Sequence, residues 1–271
     1  MTPAAAVSPA YTALIRTHRC DALLERTVQS LREQTTPPSE IVFVDSSHDP
    51  ACAAALQALG GRVVAYPDGP FNFSKALNIG VAAASQPLVL MISSHVVLAH
   101  PTMIENGWHS ATATGARGLY WIPSLDGRLA CHCIAPDTFD GHNGLSNACA
   151  LLPTELLRER PFREEVFAAE DQEWAAWFFK THRGSMLRIT HPDLQYLNPN
   201  ANELKTINEE IAIAYYAYPR NLRLDHILMR CARGLLAFWR RRPRAAYMHW
   251  EIAKGLFMAN FRRPSRASRY F

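Results

Sequence analysis

No stretch of this 271-residue chain reaches the run of ~18–20 apolar residues that a membrane-spanning helix needs. The first ten residues are rich in Pro and Ala. They lack the basic start and apolar run of an export signal, so residues 1–10 read as a flexible N-terminus. The six cysteines are scattered and form no C-x-x-C pair. That speaks against a disulfide framework and predicts reduced thiols in a cytoplasmic protein. Charged residues make up only 19% of the chain against 48% hydrophobic ones, which predicts a packed core and excludes global disorder. Acidic residues nearly vanish at the C-terminal end. From Arg220 to Phe271 twelve Arg and one Lys face two acids, a net +11, so residues 1–219 sum to −7 within the total of +4. A basic tail on an acidic body calls for an anionic partner.

The apolar runs that are present are short and spaced by helical patterns. Tyr11–Arg16, Ile41–Val44, Arg62–Ala65 and Leu88–Ile92 read as strands. Helices are expected between them: one capped by Asp21 and running to Gln34, one over Ala51–Leu59, and one capped by Ser74 and running to Ala84. Near-continuous apolar strands alternating with helices predict an α/β fold with a mostly parallel sheet and helices on both faces. Ligands in such sheets sit at the carboxyl ends of the strands, here residues 17–19, 45–48 and 93–95. Past Arg117 a hairpin is expected, with Leu119–Ser124 and Arg128–Cys133 joined at Asp126-Gly127. A strand over Asn147–Leu152, a helix over Glu170–His182 and a strand over Ser185–Ile189 follow. From Asn202 onward the pattern is helical, broken at Pro219 and Pro243. Three units are expected: residues 1–10, an α/β domain over 11–200, and a basic amphipathic helical extension over 201–271.

Glycine is missing from the turn after the first strand, Thr17-His18-Arg19-Cys20-Asp21, and there is no P-loop. A dinucleotide fingerprint needs glycines in that turn so that the pyrophosphate can approach the helix N-terminus. A Rossmann dehydrogenase therefore fits poorly.

Three blocks resemble family 2 glycosyltransferases. ALIRTHRCDALLERTVQSLREQTTPPSEIVFVDSS is similar to the family's opening strand, helix, strand and Asp. FNFSKALNIGVAAASQPLVLMIS resembles its S-x-A-x-N-x-G helix and following strand. SNACALLPTELLRERPFREEVFAAEDQEWAAWFFKTHRG resembles its acceptor-side block, which ends in Glu-Asp at a helix start. Together they cover roughly residues 11–190 in the right order. The resemblance implies the GT-A fold and inverting transfer of a sugar from a nucleotide-sugar, a UDP- or dTDP-sugar, to a hydroxyl of a glycan or lipid-linked acceptor. It also implies a place in polysaccharide or lipopolysaccharide biosynthesis. The rival reading is a non-catalytic GT-A-like subunit that binds nucleotide or glycan.

The resemblance implies roles for particular residues. Asp45 accepts a hydrogen bond from the base or ribose, with Thr17, Arg19 and Ser46 beside it; the plainer alternative is an Asp that holds the following turn. Lys75 meets the donor phosphates, or is a solvated surface lysine. Asn78 lies on the same helical face and serves either the donor or the neighbouring loops. Asp171 is the general base that takes the acceptor's proton, with Glu170 and Asn147 facing the acceptor. The alternative is that Glu170 and Asp171 only cap a helix.

The chain departs from the family at the end of the fourth strand. The family's Asp-x-Asp, whose last carboxylate holds Mn²⁺ or Mg²⁺ on the diphosphate, is replaced by Ser93-Ser94-His95. Serines are poor ligands for hard cations. Three readings stand. His95 binds a transition metal; or His95, the serine hydroxyls and Lys75 meet the diphosphate directly; or the site binds without turnover. The family's late His is missing too, since Asp193–Asn200 carries none.

Cys131-His132-Cys133 invites a zinc reading, but alternation on a strand sends His132 to the opposite face from the cysteines. Buried small residues in a hairpin explain it better. In the tail, Leu224, Ile227, Leu228, Cys231, Leu235, Phe238 and Trp239 recur at helical spacing among arginines. Such helices suit an anionic membrane surface, placing the protein at the inner face of the plasma membrane, or they pack against the α/β body. No nucleic-acid recognition module is present.

Overall fold

The computed structural model describes residues 8–197 and 203–264. The expectations for residues 1–7, for the boundary at residue 200, for the end of the Asp193–Asn200 segment and for the last seven residues of the tail lie outside the described residues. Strands β1 (Tyr11–Thr17), β2 (Glu40–Asp45), β3 (Arg62–Ala65) and β4 (Leu88–Ser93) pair in parallel. Helices α1 (Ala22–Arg32), α2 (Pro50–Ala58) and α3 (Phe73–Ala83) connect them. Asp21 caps α1, accepting from the backbone N–H of Leu23 and Leu24.

After β4 come β5 (Val96–Leu98), α4 (Met103–Thr114), β6 (Gly118–Pro123), β7 (Ala130–Ile134), β8 (Cys149–Pro153), α5 (Thr154–Glu159), α6 (Glu170–His182), β9 (Met186–His191) and β10 (Leu194–Tyr196). The main sheet runs β3-β2-β1-β4-β8-β6-β9-β7, and β10 pairs antiparallel with β5 beside it. Alternation along the strands splits the core. Ile15, Phe43 and Leu90 pack with Leu24, Val28 and Leu31 of α1 on one face. Leu14, Val89 and Met91 pack with Leu77 of α3 and with Trp174 and Phe178 of α6 on the other. Both faces are covered, which is why these strands read as unbroken apolar runs.

Four expectations change. Ser74 does not cap α3: the Asn72 side chain accepts from the Lys75 N–H, and Ser74 lies buried inside the helix. Asn147 stands in the turn before β8 rather than in the strand. The turn at Asp126-Gly127 forms, with Asp126 Oδ1 accepting from Ser124 Oγ at 2.9 Å and Arg128 N at 3.1 Å. Its flanking strands nevertheless do not pair, because β9 lies between them, parallel to β6 and antiparallel to β7. Burial gives the reason. β9 buries Met186, Leu187 and Ile189 and takes an interior position, whereas β7 exposes Cys131, His132 and Cys133 and takes the edge. Those cysteines are therefore not the buried residues expected. The elements β5, β10, α4 and α5 were not expected at all.

The C-terminal helices are α7 (Glu203–Ala212), a π-helical turn (Ile213–Ala217), a short 3₁₀ turn (Pro219–Leu222), α8 (Leu224–Trp239) and α9 (Pro243–Ala259). Ile252, Ala253 and Leu256 of α9 pack with Ile207 and Ile211 of α7 and with Phe167 and Ala168. The extension thus braces the loop that leads into α6. Among the described residues no helix is long and apolar enough to cross a membrane.

Candidate active site

The carboxyl ends of β1 and β4 and the turn after β2 open onto one cleft. Thr17, Arg19, Ser46, Ser93, Ser94 and His95 line it. The Ser46 N–H and hydroxyl both reach the Thr17 carbonyl, at 2.9 and 3.1 Å, and lock the two strand ends together. Asp45 sits behind this rim. It is 6% exposed, and its Oδ1 accepts from the Ser47 N–H at 2.8 Å, so in this geometry it holds the turn. Lys75 and Asn78 do not line the cleft. Lys75 Nζ lies 5.5 Å from the centre of the Tyr66 ring. Asn78 clasps the Phe162 backbone, donating to its carbonyl at 2.8 Å and accepting from its N–H at 2.9 Å.

The opposite wall is acidic. Helix α6 starts after Ala169, a non-glycine residue held in the left-handed region at φ 54°, and no side chain caps it. That backbone is unfavourable for a residue with a Cβ, and such strain gathers at functional sites. Glu170 meets Asn147, while Asp171 serves both Asn147 and the first turn of the helix. Asn147 Nδ2 donates to Glu170 Oε1 at 2.7 Å, and the Asn147 N–H donates to Asp171 Oδ2 at 3.3 Å. Asp171 Oδ1 accepts from the Gln172 N–H at 2.8 Å. Burial first, and neighbouring Glu170 second, raise the Asp171 carboxyl to about 7. The side chain is half-buried. Beyond it a second cavity opens, lined by Tyr120, His142, Arg188 and Glu210, and Asp171 and Glu209 line both spaces.

Residues that the sequence reading passed over complete the cleft. Arg16 projects between the strand ends and the acidic wall. Its Nη1 lies 3.7 Å from Glu170 Oε1, and its guanidinium lies 5.3 Å from the centre of the Phe73 ring. The one signal in the sequence was a charge ending an apolar run. Tyr196 of β10 and Lys205 and Glu209 of α7 also line the cleft. They lie far along the chain and carry no local pattern.

A divalent cation fits these residues poorly. Burial first, and Arg16 second, lower His95 to about 4, so its ring is neutral at neutral pH. Its Nε2 is buried without a hydrogen-bond partner, and its ring meets the Tyr196 ring edge-on at 5.0 Å. Hard cations want carboxylate oxygens, and the end of β4 offers two hydroxyls and one imidazole beside a guanidinium. Among the described residues no three His, Cys, Asp or Glu side chains gather as a ligand set, at Cys131–Cys133 or elsewhere.

Residues 12–119 match the family described as Glycosyl transferase family 2. No curated protein matches the sequence. Solved structures share the fold. The mannosyltransferase PcManGT from Pyrobaculum calidifontis, in complex with GDP-Man and Mn²⁺, superposes with a TM-score of 0.63 at 14% identity, over 96% of this chain and 89% of that one. S. aureus TarS gives 0.58 at 15% identity, over 86% of this chain, which spans less than half, 43%, of TarS. Glucosyl-3-phosphoglycerate synthase from Mycobacterium tuberculosis, in complex with Mn²⁺, UDP and phosphoglyceric acid, gives 0.57 at 16% identity, over 76% and 78% of the two chains. At these identities the likeness is one of fold.

Proposed function

We propose that this chain, a family 2 glycosyltransferase sequence over residues 12–119 on a GT-A fold, is an inverting transferase with Asp171 as its general base. The observation that carries the reading is the position of Asp171. Its carboxylate lines both the strand-end cleft and the cavity beyond it, as does that of Glu209, and Asp171 alone of the two stands at the start of α6 held by the Asn147 N–H. Inversion needs that arrangement: a sugar held on one side, an acceptor hydroxyl arriving from the other, and a base that removes the hydroxyl proton as the oxygen attacks the anomeric carbon. A carboxyl raised to about 7 is matched to that task near neutral pH. Glu170 and Asn147 position the base and face the acceptor. Thr17, Arg19, Ser46, Ser93, Ser94 and His95 form the donor rim. Asp45 supports that rim from behind, and Lys75 and Asn78 stand outside it.

The donor is a nucleotide-sugar, a UDP- or dTDP-linked hexose or rhamnose. PcManGT with GDP-Man and the glucosyl-3-phosphoglycerate synthase with UDP support a donor of this class. The acceptor is a hydroxyl of a glycan or of a lipid-linked acceptor in bacterial polysaccharide or lipopolysaccharide assembly. The basic extension over residues 201–271 holds the enzyme to the inner face of the plasma membrane. Leu228, Leu235, Phe238 and Trp239 of α8 support that role, being 58–80% exposed just before Arg240–Arg242.

The test is transfer, or donor hydrolysis, across a panel of nucleotide-sugars by wild type and Asp171→Asn. Turnover by wild type that falls about a hundredfold or more in the variant supports the reading, since general base catalysis supplies that much. Equal silence from both proteins while nucleotide still binds replaces it with the binding-subunit reading.

A further inference from the structure

We propose that Arg16, at the end of β1, binds the diphosphate of the donor and supplies the positive charge there in place of a divalent cation. This rests on the sugar-transfer reading, because only a nucleoside diphosphate leaving group poses the problem that Arg16 would solve. Negative charge builds on that diphosphate as the glycosidic bond breaks, and fixed positive charge or hydrogen-bond donors must meet it. The end of β4 does not provide them as a metal site would. Ser93 and Ser94 bring hydroxyls, and His95 is neutral at neutral pH.

Arg16 stands directly alongside. It is the register partner of Ser93 across the parallel β1/β4 pair, so the strand end that lacks the carboxylates has a guanidinium on the neighbouring strand. The side chain is 10% exposed and lines the cleft. Its present partners hold it loosely. Nη2 reaches Asn147 Oδ1 at 3.4 Å, and Nη1 approaches Glu170 Oε1 at 3.7 Å with no hydrogen bond. A charge-assisted N–H···O contact forms at about 2.7–2.9 Å. A buried donor left unpaired in a native site needs an explanation, and a phosphate oxygen is the partner a planar fork fits best. The Phe73 ring lies within cation–π range of the guanidinium, its centre 5.3 Å away. The other cations on the cleft are already engaged. Arg19 is half-exposed and paired with Asp21 at 2.7 Å, and Lys205 pairs with Glu209 at 3.8 Å.

The experiment is calorimetric binding of UDP, dTDP and GDP, and of the matching monophosphates, to the full chain. It is run in EDTA and again with Mn²⁺, for wild type, Arg16→Gln and Arg16→Lys. In EDTA, wild type is expected to prefer a diphosphate over its monophosphate by about tenfold or more, the scale of a charge-assisted contact. Arg16→Gln abolishes that preference while keeping monophosphate binding, and Arg16→Lys, which keeps the charge without the fork, retains part of it. The wild-type comparison holds even if a variant fails to fold. A preference that appears only when Mn²⁺ is added, or one that survives in Arg16→Gln, overturns the proposal and leaves sugar transfer standing. Failure of wild type to bind any of these nucleotides in either condition overturns both.

Discussion

The backbone N–H of Asn147 points at Asp171 Oδ2 from 3.3 Å, while the same residue's side chain holds Glu170 Oε1 at 2.7 Å. One residue in the turn before β8 thus fixes two carboxyls at the start of α6, a neighbouring pair from a distant part of the chain. The backbone contact survives any substitution at 147 that keeps the turn. The side-chain contact does not, so the two carboxyls can be perturbed separately.

The rate should depend on pH through Asp171. The base works only when deprotonated, so kcat/KM is expected to rise with pH and level off above an apparent value near 7. Glu170→Gln removes the second cause of the upward shift and leaves the larger one, burial. The acidic limb should therefore move down in pH yet stay above the usual carboxylate range. A limb unmoved in Glu170→Gln, measured from pH 5 to 9, would detach the titrating group from this pair.

Stability carries the same signature with a defined sign. The folded carboxyl of Asp171 holds its proton up to about 7, whereas its ordinary value is 3.8. Between those values the native state binds more protons than the unfolded chain, so this group's contribution to stability declines as pH rises through that window. Asp171→Asn cannot ionise and escapes the decline. Its melting temperature should exceed that of wild type at pH 8, and the advantage should shrink steadily on acidification towards pH 4. An advantage that is constant with pH would mean the carboxyl is not desolvated in the fold.

Glu173, one turn into α6, anchors that helix to the preceding loop. Its carboxylate is 5% exposed, receives Arg160 Nη1 at 2.7 Å, and lies 3.5 Å from Arg163 Nη1. Glu173→Ala leaves Arg160 without its buried partner and should cost about 3 kcal/mol. That is a fall in Tm of roughly 6–12 °C for a chain of this size. A thermal melt showing a change of less than about 2 °C would mean that the pair contributes little.

The exposed face of α8 makes a prediction about surfaces. Phe238 is 73% and Trp239 80% exposed, next to Arg240–Arg242. Wild type should co-sediment with vesicles containing about a third anionic phospholipid and stay in solution with neutral ones, and added salt should weaken the binding. Replacing both aromatics with Ser should reduce binding about tenfold or more, because each loses apolar area buried in the interface. Equal partition onto neutral vesicles, or none onto anionic ones, would remove the membrane role.

Much of the fold was legible because its signals are local. Four apolar runs, separated by three helical patterns, determined the parallel half of the sheet, and Asp21 before Ala22 determined a helix start. The Glu-Asp pair at 170–171 was visible as two acids opening a helix. What escaped was pairwise and distant. Nothing near Asp126-Gly127 says that Met186–His191 will enter between the flanking strands, because register is settled by which strand has more apolar surface to bury. Ser74 looked like a cap until Asn72 reached the Lys75 N–H first. Arg16 in β1 and Lys75 in α3 are both cations, and one-dimensional pattern cannot tell which will face the cleft. Packing decided it: the Lys75 ammonium is held at the Tyr66 ring, and Arg16 is held between Phe73 and Glu170. The sequence by itself determined the kind of sheet and the strand ends at which a cleft opens. Only the tertiary structure decided which charges stand at that edge, because a side chain's direction depends on the neighbours that packing supplies, whether near in the chain, as Tyr66 is to Lys75, or far, as Glu170 is to Arg16.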